Sequence, residues 1–321
     1  MPLGEFEVIA RYFTHATPRR DVLLGVGDDA ALLVPPPGQI LVAATDTVVE
    51  GRHFLPGTPG SSVGHNALAA NLSDLAAMGA DPAWALLSLS MPAADEAWLE
   101  SFAGGLHALA VRHDVALVGG DTVSGPRVVT VTLLGSVPPH AALTRSGAQP
   151  GDALFVSGTP GVAAAGLDVL RSGEHSFAAD DARVRRFLYA EPRLALGRAL
   201  RGHATAAMDV SDGLLGDLAK LARASNVAAC VHLEQLPVAP VLAAYYDRER
   251  CERYVLHGGD DYELLFTLPA GLTQSLAPQL AAQVGCGLHR IGEVVAGSGV
   301  RCLRHGREEP IAGTGYDHFA R

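Results

Sequence analysis

The sequence contains a single lysine, Lys220, although 24 of its 321 residues are lysine or arginine. Aspartate and glutamate together number 34, so the formal net charge at pH 7 is −10. An acidic chain of this kind lacks the broad basic surface with which proteins bind nucleic acids or anionic membranes. Any bound anion must therefore be neutralised by arginine side chains, by backbone N–H groups or by metal ions.

The sequence also lacks the segments that direct a chain into a membrane or out of the cell. No apolar run approaches the roughly 20 residues that span a bilayer. The N-terminus, "MPLGEFEVIARYFTH", has acidic residues and no apolar core of a signal peptide. The four cysteines have no CxxC spacing, which favours free, buried thiols. We therefore expect a soluble cytoplasmic protein that binds neither membranes nor nucleic acids.

The common signatures of nucleotide-binding proteins are missing as well. A GxxxxGK[ST] loop is excluded because the only lysine lies in "DLAKLARAS". The segment "VRHDV" does not match a protein-kinase catalytic loop, and no GxGxxG follows a predicted strand. The zinc motif HExxH and a D-x-D-x-D-G calcium loop are also absent. A nucleotide would have to bind through metal ions, arginine and the N–H groups of glycine turns.

The chain is long enough to form two hydrophobic cores. Its 321 residues exceed the usual size of one domain, and 48% hydrophobic with 18% charged residues is ordinary for a globular protein. Strand and helix patterns alternate in both halves, and the segment 138–152 is rich in Pro, Gly and Ala. We expect a mixed α/β (α+β) architecture with domains at 1–140 and 141–321.

Two helices of the first half have clear sequence patterns. Residues 63–78 contain leucines at positions i, i+4 and i+7, which predicts one buried stripe. On that helix Asn71 and Asp74 occupy a different stripe, so we expect them to face a cavity or solvent. A second helix is predicted over 95–112, with Asp95 as its N-cap.

Aspartates recur beside glycine turns or at the predicted ends of strands. They are Asp28, Asp29, Asp46, Asp74, Asp121, Asp209, Asp212, Asp260 and Asp261. A single aspartate in such a place is usually a helix cap or part of an Asx turn. We assign Asp28 and Asp261 to structural roles of that kind.

The other aspartates indicate a metal site if their side chains converge. Two carboxylates about 4 Å apart repel by roughly 4 kcal/mol at an effective dielectric constant near 20. Six in one cleft would exceed the usual stability of a protein, about 5–15 kcal/mol. Cations relieve this repulsion, and ligands that consist only of oxygen atoms suit Mg²⁺. Because clustered Mg²⁺ ions commonly accompany nucleoside triphosphates, we expect a site for Mg²⁺ and ATP.

Seven segments, in the same order along the chain, closely resemble the thiamine-monophosphate kinase family. They are "GVGDDAALL", "ATDTVVEGRHF", "NLSDLAAMGADPAW", "GGDT", "ALTRSGAQPGD", "MDVSDGL" and "GGDDYELLFT". The resemblance extends from Gly4 to "GYDHFA", which is nearly the whole chain. That family shares a superfamily with aminoimidazole ribonucleotide synthetase, selenophosphate synthetase and a hydrogenase maturation factor.

The resemblance implies a homodimer and a reaction. The N-terminal domain would bind Mg²⁺ and ATP and dimerise through its sheet, and a C-terminal α/β sandwich domain would bind substrate and nucleotide. ATP would phosphorylate thiamine monophosphate directly, giving thiamine diphosphate, with several Mg²⁺ ions in a cleft between the domains. No general base is expected, because the nucleophile is a phosphate oxygen that is largely ionised at neutral pH.

The resemblance also implies the residues of the site. The metal ligands would be Asp29, Thr45, Asp46, Asp74, Asp121, Asp209 and Asp212. The contacts to ATP would be Gly120, Asp121, Arg145 and Ser211, and the contacts to thiamine monophosphate would be His53, Asp260 and Tyr316. Related sequences often have Ser and Glu at the positions of Ala44 and Asp260.

Two alternative functions remain open. Selenophosphate synthetase typically needs a reactive cysteine or selenocysteine near its N-terminus, whereas the first cysteine here is Cys230. The hydrogenase maturation factor ends in a reactive cysteine, whereas this chain ends in "GYDHFAR". An enzyme similar to aminoimidazole ribonucleotide synthetase is therefore the nearest catalytic alternative. A non-catalytic sensor of Mg²⁺ and nucleotide is the other.

Overall fold

The structure is a computed structural model that describes residues 3–14, 19–173, 176–178 and 180–310. The chain divides into two compact units. The N-terminal unit comprises residues 1–75 and 80–140, and the C-terminal unit comprises residues 76–79 and 141–321.

The N-terminal unit is built on a four-stranded sheet. Its strands are β3 (Ile40–Val49), β4 (Asp81–Met91), β5 (Ala116–Ser124) and β6 (Val128–Val137), after a small ladder of β1 (Val22–Leu24) with β2 (Leu32–Leu33). The order is β3-β6-β4-β5. β4 and β5 are parallel, and the other two pairings are antiparallel. β3 and β5 are therefore the two edge strands of this sheet.

Helices cover one face of that sheet. α1 (Glu5–Val8) continues as a π-helix over Ile9–Phe13, and the two long helices are α2 (Gly60–Ala77) and α3 (Glu96–Arg112). The carboxylate of Asp95 caps α3 by accepting hydrogen bonds from the backbone N–H groups of Ala97 and Trp98, at 3.1 and 3.2 Å. The predicted cap is confirmed.

α2 begins three residues before the predicted start at Val63. The early glycines Gly60 and Gly64 weaken the sequence pattern, since glycine disfavours helix. In the structure they allow close packing on α3, because a Cβ on Gly64 would lie only 2.2 Å from the carbonyl oxygen of Phe102. Tertiary packing therefore outweighs the local propensity at this end of the helix.

The C-terminal unit contains a seven-stranded sheet. Its strands are β7 (Ala153–Ser157), β8 (Ala206–Val210), β9 (Ala228–His232), β10 (Glu263–Leu268), β11 (Leu288–Val295), β12 (Gly299–Arg304) and β13 (Arg307–Glu308). Their order is β13-β12-β9-β11-β7-β10-β8. Only β9 and β12 are parallel among these pairs. The adjacent strands β8 and β10 carry the segments "AAMDV" and "ELLFTL" side by side.

Seven α-helices are described in the C-terminal unit. They are α4 (Val162–Ser172), α5 (Ala182–Leu188), α6 (Leu194–Leu200), α7 (Leu214–Ser225), α8 (Pro240–Tyr245), α9 (Arg248–His257) and α10 (Thr273–Val284), with short 3₁₀ turns at Leu233–Gln235 and Ala270–Leu272. α7 and α9 pack on the sheet through buried side chains such as Leu218 and Val255, which belong to one core with Leu265 and Ile291 of the strands. This core fixes the segments that precede and follow both helices.

These features confirm a mixed α/β architecture with two sheet-containing units. All four cysteines carry free thiols, and all but the partly exposed Cys286 are buried. No helix within the described ranges is long and apolar enough to cross a membrane.

Two strands are longer than the apolar pattern of the sequence predicts, since that pattern ends the first at Asp46 and the second before "GGDT". β3 continues past Asp46 to Val49, and β5 includes the "GGDT" segment, so Asp46 and Asp121 lie inside strands rather than at strand ends. Both strands are at an edge of the sheet, where a charged side chain can reach solvent without leaving the ladder. The pattern of apolar residues could not reveal this position, because it depends on the order of the strands.

Candidate functional site

The N-terminal unit carries seven of the predicted site residues. They lie between β1 and β2, in β3 or just after it, on α2 and in β5: Asp29, Thr45, Asp46, His53, Asp74, Gly120 and Asp121. Four of them are exposed: Asp29, Thr45, Gly120 and Asp121. The other three are partly buried: Asp46, His53 and Asp74. The described part of this unit therefore offers solvent-accessible oxygen atoms on both edge strands.

Side chains of β3 alternate between the two faces of the sheet. The hydroxyl oxygens of Thr45 and Thr132 lie 3.0 Å apart on one face. Asp46 is paired with the buried Val131, on the face that α2 and α3 cover. α2 also carries Asp74, so the structure places Asp46 and Asp74 on the same side of the sheet.

Asp46 and Asp121 are far apart within one copy of the sheet. The register aligns Asp46 with Val131, then Leu87, then Gly120, across all four strands. Three strand spacings of roughly 4.8 Å separate the edges by about 14 Å along the sheet. The ligands of one Mg²⁺ ion each lie only about 2.1 Å from it. One copy of the sheet therefore does not place both carboxylates on the same ion.

Gly120 is required by the backbone geometry of β5. Its φ is +149°, and a Cβ there would lie 1.8 Å from the carbonyl oxygen of Leu87. A cavity of about 40 Å³ beside Gly120 and Asp121 is also lined by Phe13 and Val26. Since Val26 belongs to "GVGDD", the structure brings the first aspartate motif next to "GGDT".

His53 follows β3 in a turn that orients its ring. The ring nitrogen Nδ1 accepts a hydrogen bond from the backbone N–H of Val49 at 3.1 Å. The backbone N–H of His53 donates to the carbonyl oxygen of Val49 at 2.9 Å. Because Nδ1 is an acceptor, the neutral ring carries its proton on Nε2. The ring can thus act as a hydrogen-bond donor to an anion.

The C-terminal unit carries five more of the predicted residues: Arg145, Asp209, Ser211, Asp212 and Asp260. Asp209 is only 5% exposed and is paired with Leu264 across β8 and β10. The side chain of Arg145 is exposed, while its carbonyl oxygen accepts a hydrogen bond from the Ser225 hydroxyl at 2.9 Å. Tyr316, predicted to contact thiamine monophosphate, lies outside the described residues.

The loops "MDVSDGL" and "GGDDYEL" are joined through their backbones. The N–H of Asp260 donates to the carbonyl oxygen of Ser211, and that of Tyr262 donates to Val210, both at 3.0 Å. Asp260 and Tyr262 have φ of +63° and +52°, a left-handed conformation that is uncommon for residues other than glycine. Such strain is often concentrated at functional sites. The structure therefore unites these two motifs in one local surface.

Asp217 and Lys220 organise that surface, although neither is among the predicted site residues. The buried carboxylate of Asp217 accepts hydrogen bonds from the N–H groups of Ser211 and Asp212, each at 3.0 Å. The Lys220 ammonium donates to Asp217 at 2.8 Å and to Asp212 at 2.6 Å. The spacing of Asp217 and Lys220 on one helix was a weak signal for this contact, because an i, i+3 pair is usually a surface ion pair.

Burial and, to a lesser degree, the charge of Asp212 raise the pKa of Asp260 to about 6, although Arg171 acts in the opposite direction. Asp260 lies beside the loop that carries Asp212, because its backbone N–H donates to the carbonyl oxygen of Ser211. A cation placed near these carboxylates would favour the ionised form of Asp260.

Asp261 has the structural role predicted for it. Its carboxylate accepts hydrogen bonds from the N–H groups of Gly161 and Ala163, at the start of α4, the latter at 3.2 Å. Burial raises its pKa to about 7, although Arg186 and these hydrogen bonds act in the opposite direction. Asp28 accepts a hydrogen bond from the N–H of Asp29 at 2.8 Å, which is also a local turn contact.

The predicted ligands fit Mg²⁺ by their chemistry. They are carboxylate and hydroxyl oxygens, the donors that Mg²⁺ prefers. Asn71, expected to face a cavity or solvent, is instead fully buried one turn from Asp74, and within the described ranges its Oδ1 has no hydrogen-bond partner. No three His, Cys, Asp or Glu side chains form a metal-binding group in the part of the chain that the structure describes. The assignment of these residues as metal ligands stays a prediction.

Comparison with known proteins gives one consistent result. Residues 27–137 match the family model for the AIR synthase related protein, N-terminal domain, and residues 149–303 match that for the C-terminal domain. Thiamine-monophosphate kinase of Escherichia coli K12 is 45% identical over 324 residues, which cover 100% of this chain and 99% of that relative.

Two solved structures are similar along most of their length. The crystal structure of thiamine-monophosphate kinase from Stenotrophomonas maltophilia K279a has a TM-score of 0.86 and 44% identity, covering 96% of this chain and 99% of that one. AaThiL complexed with AMPPCP and TMP has a TM-score of 0.76 and 32% identity, covering 89% of each chain.

Proposed function

Since the chain belongs to the thiamine-monophosphate kinases, within the AIR synthase related proteins, we propose that it transfers the γ-phosphoryl group of ATP to thiamine monophosphate. It is a phosphotransferase, with ATP as co-substrate and thiamine diphosphate and ADP as products. The observation that carries this assignment is the 45% identity to the Escherichia coli enzyme across the whole chain. AaThiL, which is 32% identical, was solved with AMPPCP and TMP, ligands that correspond to both substrates.

The acceptor in this reaction needs no general base. The second pKa of a phosphate group is about 6, so its oxygen is largely ionised at neutral pH. The obstacle is the approach of two anions, and catalysis depends on charge neutralisation and positioning. Bound Mg²⁺ would supply much of that neutralisation, held by Asp29, Thr45, Asp46, Asp74, Asp121, Asp209 and Asp212.

The remaining residues orient the two substrates. The backbone of Gly120, the hydroxyl of Ser211 and the exposed guanidinium of Arg145 contact ATP, the last through charge-assisted hydrogen bonds to phosphate. On the acceptor, the Nε2–H of His53 donates to the phosphate. The Asp260 carboxylate attracts the cationic thiazolium ring, on which Tyr316 stacks. These roles are proposed from the family motifs and the donor geometry of His53.

The direct test is to incubate the purified protein with ATP, Mg²⁺ and thiamine monophosphate and to record ³¹P NMR spectra. Growth of the thiamine diphosphate signals, together with ADP, supports the proposal. ATP binding without transfer to any acceptor would favour the sensor. Transfer only to a different acceptor would favour an enzyme similar to aminoimidazole ribonucleotide synthetase.

A homodimer formed by the N-terminal sheet is part of the same proposal. Ile40 and Leu41 on β3 are 52% and 53% exposed, and Val123 on β5 is 47% exposed. Exposed apolar edge strands are ready to pair with another chain. If β5 of one copy pairs with β3 of another, the edge that carries Asp121 lies beside the edge that carries Asp46 of the partner subunit. A dimer of this kind overcomes the separation of about 14 Å between these edges of one sheet.

Subunit complementation tests the shared site. Asp46→Asn and Asp121→Asn variants are each expected to be inactive. When equal amounts are unfolded and refolded together, half of the dimers are mixed, and each mixed dimer holds one intact site if the ligands come from two subunits. About a quarter of the wild-type activity should then return. Activity no higher than that of the parent variants, in a mixture shown to contain mixed dimers, would contradict the shared site.

The two domains and the compartment complete the proposal. Domain 1–140 binds Mg²⁺–ATP and dimerises, and domain 141–321 supplies the substrate contacts and the remaining nucleotide contacts. An ATP-consuming enzyme with free thiols suits the reducing cytoplasm.

A further inference from the structure

The only lysine of the chain forms an ion pair with a predicted metal ligand. The Lys220 ammonium lies 2.6 Å from Oδ2 of Asp212 and 2.8 Å from Oδ1 of Asp217. The two carboxylates differ in exposure, since the Asp217 side chain is 1% exposed and that of Asp212 is 32% exposed. Lys220 therefore joins a buried, fixed acceptor to a solvent-accessible one.

Asp217 is the fixed member of this group. Its second oxygen already accepts the N–H groups of Ser211 and Asp212, so its position is set by the loop that it supports. Asp212 is the member that a ligand can reach. The Lys220 side chain is 36% exposed, which leaves room for its ammonium to change its contacts while its stem stays on α7.

We propose that Lys220 is an internal counter-ion of Asp212, which it holds in the metal-free protein and releases when Mg²⁺ binds. This inference rests on the proposed role of Asp212 as a Mg²⁺ ligand. An ammonium and a divalent cation on one carboxylate repel each other, so binding of Mg²⁺ moves the ammonium onto Asp217 alone. Lys220 thereby positions Asp212 in the empty site and raises the Mg²⁺ concentration needed to fill it.

The single lysine allows this exchange to be observed directly. In protein labelled with [¹³Cε]lysine, one side-chain signal reports on Lys220. Addition of Mg²⁺ in the presence of AMPPCP should shift that signal, and NaCl at the same ionic strength should not. In Asp212→Asn protein the Mg²⁺-dependent shift should be lost.

A pair of variants tests the effect on affinity through the Mg²⁺ concentration that gives half of the maximal thermal stabilisation with AMPPCP. Lys220→Met should lower that concentration about twofold to fivefold, the range expected for loss of a partly exposed charge contact. The matched control is Arg223→Met, which removes an exposed positive charge from the same helix and should change it little. A merely structural role for Lys220 would lower the melting temperature without lowering the Mg²⁺ midpoint.

The outcomes separate this inference from the proposed function. A Lys220→Met protein with an equal or higher Mg²⁺ midpoint overturns the inference. The inference is also overturned if the lysine signal of the wild-type protein does not move, although Mg²⁺ stabilises that protein and it makes thiamine diphosphate. This measurement does not depend on the folding of any variant. Absence of both Mg²⁺ stabilisation and product overturns the proposed function, and the inference with it.

Discussion

Glu263 lies in the motif "GGDDYELLF", yet its surroundings predict a structural role that a single substitution can test. Its side chain is 1% exposed. One carboxylate oxygen lies 2.7 Å from Nη2 of Arg186 and 2.5 Å from Nη2 of Arg193, and the other lies 2.7 Å from Nε of Arg193. The hydroxyl of Ser157 donates to it at 2.5 Å. One buried carboxylate therefore balances two guanidinium groups.

Glu263→Gln keeps the shape of the side chain and removes its charge. Arginine side chains are not deprotonated in proteins, so the variant keeps two guanidinium groups without the carboxylate that balances them. Breaking a buried ion pair by neutralising one partner costs about 3–5 kcal/mol. In a unit of this size each kcal/mol corresponds to about 2–4 °C. We therefore expect the melting temperature to fall by about 6–20 °C.

Differential scanning calorimetry at neutral pH measures this change. Glu249→Gln is the matched control, since Glu249 lies on the exposed surface of α9 and its replacement should shift the melting temperature by less than about 2 °C. A Glu263→Gln protein that melts with the wild type would refute the reasoning, because it would show that the two arginines do not depend on this charge.

Further predictions concern the site and its supports. Asp121→Asn should reduce turnover by orders of magnitude at limiting Mg²⁺ and leave the circular dichroism spectrum unchanged; near-wild-type turnover would remove the metal assignment. Gly120→Ala should destabilise the protein in urea unfolding far more than Gly119→Ala, because its Cβ would lie 1.8 Å from Leu87 O rather than 3.2 Å from a side-chain carbon. Burial raises the pKa of Asp261 to about 7, so the stability it contributes is complete below its unfolded pKa and is lost as pH rises through about 7. The melting temperature of Asp261→Asn, relative to wild type, should therefore rise between about pH 5 and pH 8; a constant difference would contradict this pKa.

Local elements such as the capped helix α3, and the family, could be predicted from the sequence alone. Asp95 and the apolar positions of α3 lie three or four residues apart, so the cap and the buried stripe can be predicted without knowing the rest of the fold. The order of the aspartate and glycine motifs was sufficient to identify the kinase family, because each motif is a short local segment that can be recognised without knowing the fold.

The tertiary structure was needed to show which carboxylates support the fold and where the predicted metal ligands lie. Asp261 caps a helix through the N–H of Gly161, which lies 100 residues earlier in the chain, and Glu263 balances arginines 70 and 77 residues away. Asp46 and Asp121 are on opposite edges because β6 and β4 lie between their strands. A cap or a helical period depends on neighbours in sequence, whereas the partner of a buried charge is chosen by packing that brings distant segments together.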